Sequence, residues 1–398
     1  MKEIIVSAPG KVILHGEHSV VYGKLAVAAG VNLRTFLRLR EDSLGEVRLH
    51  LPDVGLDRSW KTEDLQHFFS ERLCNPLSPS QISDDLMDRL KEFSGISLDS
   101  SNTGHLAIIA FLYLYGSLAW KNGKCISMDV AVSSTQPVGA GLGSSASFSV
   151  CLAAGLLSSV ALISPKQPLN GENTMGTWSE KDKELINSWA FEGERVIHGK
   201  PSGIDNSMAT YGGALTFQSG KIVQLKKMPR LKILLTNTKV PRSTKVLVAG
   251  VRTNYEKFPG VFGPVFEAMH GLSVRSVETY NQMADKADLE HYSTLQDLID
   301  INHQLLRLIG VSHPVLETLV QESSALGVHT KLTGAGGGGC ALSLISPDVK
   351  DDVIEKLKTV FREKGFDCWE TSVGGDGVLL HSNFNTIFTV PKTFRESL

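Results

Sequence analysis

The chain has 398 residues, of which 42% are hydrophobic and 21% charged, and its mean hydropathy is −0.01. It reads as a soluble globular protein too long for one small core, so two domains are expected. A formal net charge of −2 excludes a global field that would draw it to nucleic acid or an anionic membrane, so any phosphate chemistry must come from local groups.

The predicted elements start with two strand segments, Ile4–Ser7 and Lys11–His15, separated by a turn at Ala8-Pro9-Gly10 and followed by a polar loop, Gly16-Glu17-His18. Leu33–Arg40 alternates close to period two, as in an antiparallel strand with one wet face, and Val47–Leu51 is expected to pair with it. Asp53–Ser101 is polar and irregular, with one helix over Ser83–Phe93. Leu106–Trp120 reads as a buried helix, too short to span a bilayer. Ile126–Val132 is a strand leading to the glycine-rich Pro137–Ala146, and Ser147–Leu157 is a small, apolar, buried helix. Ser164–Thr177 is a polar insertion. Ser179 is the expected N-cap of a helix running to about Val196.

We place a domain boundary near 230, giving residues 1–229 and 230–398. The second part opens with strand Leu231–Asn237. Helices are expected over Val265–Asp288, Leu295–Leu308 and Val315–Leu326, then a glycine cluster at Thr330–Gly339 and a strand at Ala341–Ile345. An amphipathic helix over Val349–Lys364 and a strand over Asp367–Val373 complete an α+β second half.

Five scattered cysteines with no CxxC pair fit reduced thiols in a cytoplasmic protein. No signal peptide is evident at the N-terminus, and the C-terminal Arg-Glu-Ser-Leu is a poor peroxisomal signal that leaves that compartment open.

Four stretches carry the chemistry. In Gly139-Ala140-Gly141-Leu142-Gly143-Ser144-Ser145, glycines permit close backbone approach and the following helix turns its first N–H groups toward an anion. No lysine follows the last glycine, so this is not a Walker loop. Lys11 follows a Pro-Gly pair, with Glu17 and His18 on the next loop. Glu194 and Asp205 flank a Gly/Pro loop; a kinase needs one carboxylate on its metal ion and often a second beside the acceptor hydroxyl. Lys331–Cys340, with four consecutive glycines between apolar segments, reads as a site of close backbone approach. Taken singly, each also has an ordinary structural reading: a tight connection, a strand-edge lysine, solvated acids or a flexible linker.

Together, Pro9–His18, Pro137–Ala146 and Lys331–Cys340 resemble, in this order, the three motifs of the galactokinase, homoserine kinase, mevalonate kinase and phosphomevalonate kinase (GHMP) superfamily. Phe111–Tyr115, Trp189–Asp205 and Leu234–Gly250 are similar to the animal mevalonate kinase family in particular. The resemblance implies an N-terminal domain like ribosomal protein S5 domain 2, a ferredoxin-like C-terminal domain, and ATP-dependent phosphorylation of the C5 hydroxyl of mevalonate in isoprenoid and sterol biosynthesis. It implies nucleotide contacts from Lys11, Asp53, Ser134 and Gly139–Ser145, Mg2+ on Ser145 and Glu194, and Asp205 as catalytic base beside Lys11. Glu17, His18 and Thr244 are implied substrate contacts. Asp53 stands where the family has Asn, and a carboxylate cannot donate as an amide does. A homodimer and inhibition by prenyl diphosphates such as farnesyl diphosphate are further implications. Another small-molecule GHMP kinase is the nearest alternative, and a non-catalytic relative the more distant one.

Overall fold

A computed structural model describes residues 3–137, 139–166 and 175–382 of the chain. Its first half contains β1 (Glu3–His15), β2 (Ala26–Glu41), β3 (Glu46–Leu51), β4 (Leu56–Lys61), α1 (Thr62–Phe69), α2 (Asp84–Phe93) and α3 (Thr103–Leu118). The short β5 (Trp120–Lys121) and β6 (Lys124–Cys125) precede β7 (Met128–Ser134), α4 (Ser144–Ser159), β8 (Met175–Gly176), α5 (Glu180–His198), α6 (Ile204–Tyr211), β9 (Ala214–Gln218) and β10 (Lys221–Gln224). The second half runs β11 (Leu231–Asn237), α7 (Thr244–Lys257), α8 (Pro259–Asp285), α9 (Leu289–Leu308), α10 (Pro314–Ser324), β12 (His329–Leu332), β13 (Cys340–Leu344), α11 (Asp351–Glu363), β14 (Asp367–Val373) and β15 (Leu379–His381). Most of the proposed insertion, residues 167–174, lies outside the described residues.

The sheet is organised around β2, which pairs with β1, β7, β9 and, at Val31–Val373 alone, with β14. One face of the first half's strands packs on α3, α4 and α5 through a core that includes Leu37, Phe111, Val150 and Trp189. α3 and α4 are apolar all round and accordingly sit in the interior. In the second half, the order β12–β13–β11–β14 forms an antiparallel sheet covered by helices. The last strand returns to the first half, where β15 pairs with β1 at Ile5–His381.

Several expectations are corrected. Pro9-Gly10 is no turn: β1 runs through it, with only a shift of register against β2. Proline, lacking an N–H, is tolerated at such an irregularity. Gly10 is needed because a Cβ there would lie 2.8 Å from the Leu142 carbonyl oxygen. The alternating face of β2 is not wet, since Arg34 and Arg38 are only 7% and 5% exposed. Arg38 pairs with Asp129 at 3.3 Å, and Arg34 donates to Ser7 and to the carbonyls of Asp376 and Gly377. β3 does not pair with β2, because β7 occupies that edge; β3 runs parallel to β7 and antiparallel to β4. The stretch 53–101 also holds β4 and α1, both unanticipated.

Ser179 caps α5 as expected, its hydroxyl accepting from the Asp182 N–H. No helix among the described residues is long and apolar enough to cross a membrane.

Candidate active site

The glycine-rich loop passes between β1 and α4. Gly139, Gly141 and Gly143 all have positive φ, and Gly143 starts α4 without any side-chain cap. The first N–H groups of α4 are therefore left for an anion. Lys11 is held against this loop, its own N–H donating to the Leu142 carbonyl at 2.8 Å. The Ser147 hydroxyl donates to the Pro9 carbonyl at 2.8 Å, which fixes α4 on β1.

Lys11 Nζ lies 3.4 Å from Asp205 Oδ1. Asp205 reaches this place from the first turn of α6, which Gly203 opens in the left-handed conformation. Both groups stand next to Gly143: a Cβ there would meet Lys11 Cγ at 3.2 Å and Asp205 Oδ2 at 3.6 Å. Glu194, on the buried face of α5, has an oxygen, Oε1, with no hydrogen-bond partner. Burial pushes its carboxyl up to about 7; the Ser145 hydroxyl and Lys11 oppose the rise, and Asp205 reinforces it. Ser145 Oγ is also 3.0 Å from His198 Nε2.

Lys11, Asp205, Ser145 and His198 line a cavity of about 560 Å³, together with His18, Thr244, Arg242 and Ala335, and Glu194 stands against Ser145 outside the lining. His18 has φ 58 and its Nε2 contacts the Ala335 carbonyl at 2.8 Å, so it joins the first loop to the Lys331–Cys340 stretch. A smaller, largely apolar pocket of about 130 Å³ shares Thr103, Ser144 and Ser145 with this cavity and contains Asp53 and Ser134. Asp53 Oδ1 accepts from the Ser133 hydroxyl at 3.0 Å and Oδ2 from the Ser134 N–H at 2.6 Å. Both carboxylate oxygens thus staple the Pro52–Val54 turn to the end of β7, a use an amide could serve with one oxygen only.

Glu17 borders the cavity, but its carboxylate is already engaged within the protein. It is 3% exposed, paired with the equally buried Lys331, and accepts from Asn302 Nδ2 at 3.1 Å. Its carboxylate supports the floor of the cavity from behind.

Arg242 escaped the sequence reading. Its Nη2 donates to the Ala140 carbonyl at 2.7 Å, and a Cβ on Gly141 would come within 2.5 Å of the same nitrogen. A methyl group on Gly339 would overlap the guanidinium outright. One cation therefore bridges two glycine stretches, which explains why each must lack side chains there. Only its basic character, after Pro241 and before α7, hinted at this in the sequence. Gly339→Ala, at φ 68, should displace Arg242 and lower catalytic efficiency roughly tenfold, with a left-handed strain of about 1–2 kcal/mol. Steady-state kinetics and chemical denaturation check both; unchanged kinetics would show that Arg242 has room to move.

Comparisons with known proteins agree with this geometry. Family models described as GHMP kinases N terminal domain and GHMP kinases C terminal match residues 106–213 and 283–363. The chain is 50% identical over 379 residues to a mevalonate kinase of Bos taurus, with 95% of each chain covered. It is 47% identical to that of Homo sapiens over the same length and with the same coverage. The crystal structure of L. major mevalonate kinase in complex with R-mevalonate superposes with a TM-score of 0.63 at 25% identity, covering 95% of this chain and 97% of that one.

Proposed function

The chain belongs to the mevalonate kinase family of the GHMP kinases, and from this premise we propose that it transfers the γ-phosphoryl group of ATP to the C5 hydroxyl of (R)-mevalonate, giving 5-phosphomevalonate and ADP. The observation that carries the reading is the Lys11–Asp205 pair at 3.4 Å beside the uncapped start of α4. Phosphoryl transfer depends on alignment and charge neutralisation rather than covalent help. The α4 N–H groups and the Gly139–Ser145 backbone receive the phosphates, and the nucleoside lies toward the Asp53–Ser134 pocket. Lys11 offsets charge on the transferring group and holds the Asp205 carboxylate beside it at 3.4 Å. Asp205 then orients the acceptor hydroxyl and takes its proton. His18 and Thr244 line the acceptor side of the cavity.

Mg2+ fits the site: Glu194 offers a buried carboxylate oxygen with no partner, and Ser145 offers a hydroxyl beside it. The ion supplies charge neutralisation for the phosphates when bound. Glu194→Gln should raise the apparent KM for Mg·ATP about tenfold or more while leaving the mevalonate KM within twofold. An unchanged Mg·ATP dependence would remove Glu194 from the metal site.

An ADP-release assay against mevalonate, galactose, homoserine and phosphomevalonate tests the function. Turnover of mevalonate should exceed the others by orders of magnitude, and preference for another acceptor would overturn the reading. A cytoplasmic homodimer inhibited by prenyl diphosphates completes the proposal, supported by the family relationship.

A further inference from the structure

A second groove, of about 950 Å³, lies apart from the cavity that holds Lys11 and Asp205, and shares no lining residue with it. Both described passages of the chain between its halves border this groove. One is the linker Gln224–Pro229, between β10 and β11; the other is Gly374–Leu379, between β14 and β15. Lys183 of α5 and the end of α8 close its sides.

Among the described residues, four lysines line the groove, Lys166, Lys183, Lys226 and Lys227, against two carboxylates, Glu180 and Asp376. Both acids are already committed: Glu180 pairs with Lys183 at 3.0 Å, and Asp376 pairs with Arg230 at 2.5 Å. Lys227 pairs with Asp285 just outside. Lys166 and Lys226 have no carboxylate partner among the described residues. The existing pairs are single contacts at partly exposed positions, so they cost little to exchange for a better anion. The buried Arg34 guanidinium adds positive charge from below, because it bonds the Asp376 and Gly377 carbonyls rather than a carboxylate. The Tyr211 hydroxyl, on the wall and within the influence of Glu184 and Glu180, has no hydrogen-bond partner among the described residues. The groove is large enough for a small organic or inorganic ligand, and its charge is one-sided although the whole chain is nearly neutral.

We infer that this groove is a binding site for an oligophosphate, an anion carrying two or more linked phosphate groups, gripped chiefly by Lys183 of α5 and Lys226 of the linker between the halves. The site is separate from the phosphate cradle at α4. Inorganic tripolyphosphate is the probe, titrated calorimetrically into the full-length protein with the nucleotide cleft filled by saturating ADP. One equivalent should bind. The double variant Lys183→Ser/Lys226→Ser should weaken that binding at least tenfold and leave kcat for mevalonate within twofold. Lys239→Ser, which removes a surface lysine paired with Asp367 on another face, is the control for non-specific attraction and should change the affinity less than twofold. No binding to the ADP-saturated protein would overturn the assignment, as would equal affinity in the double variant or an equal loss in the control.

Discussion

Asp205→Asn should lower turnover about 10²- to 10⁴-fold, the range over which a positioned acid or base contributes, with little change in nucleotide affinity. The substitution keeps the shape of the side chain at the start of α6 and removes only the charge that faces Lys11 at 3.4 Å. The proposed nucleotide contacts in the Gly139–Ser145 loop and the Asp53–Ser134 pocket do not include Asp205, so ADP binding should survive. Lys11 would then lose its partner but remain beside the transferring group. Single-turnover kinetics with mevalonate, together with ADP titration, separate the two effects. Turnover within tenfold of the parent would show that Asp205 does not take the proton.

Lys331→Met should be the most damaging change outside the catalytic groups. Lys331 and Glu17 are fully buried, and among the described residues the Glu17 carboxylate has only Lys331 and Asn302 as partners. Burial drives the Lys331 ammonium below its usual range, and Glu17 opposes this. Removing one member of such a pair leaves an uncompensated charge, at a cost of about 3–5 kcal/mol. Adding Glu17→Gln removes that charge, so the double variant should recover much of the loss. Urea denaturation of the parent, the single and the double variants measures this. A double variant no more stable than Lys331→Met would show that packing, not the stranded carboxylate, sets the cost. Because Glu17 precedes His18 and Lys331 leads into Thr333–Gly339, the single variant should also raise the mevalonate KM.

Local signals were the readable ones. β11 and β14 match their expected bounds, and Ser179 caps α5, because alternation and cap chemistry act within a few residues. α7 was missed because its apolar residues form no buried stripe: Val251 is its one buried residue, and Val246 is exposed. β4 was missed for a similar reason, as an edge strand with mostly exposed polar side chains. In the site, Lys11, Ser145, Glu194 and Asp205 were legible from their motifs, and the structure brings them around one cavity or its wall. The buried pairing of Glu17 was not foreseen because its partner lies 314 positions away, and Arg242 was overlooked because the carbonyl it holds is 102 positions away. Such contacts are fixed by strand register between distant segments, which composition and spacing do not encode.

The pairing of β15 with β1 sets a timetable for synthesis. The edge of β1 that receives Leu379–His381 is made long before its partner, which follows more than 370 positions later in the chain. At 5–20 residues per second, roughly 20–75 s separate the two. Throughout that interval the nascent chain carries an incomplete sheet with an unpaired strand edge, the kind of surface that recruits foreign strands. The emergence of β15, rather than completion of the first half, is therefore the moment at which this edge can be sealed.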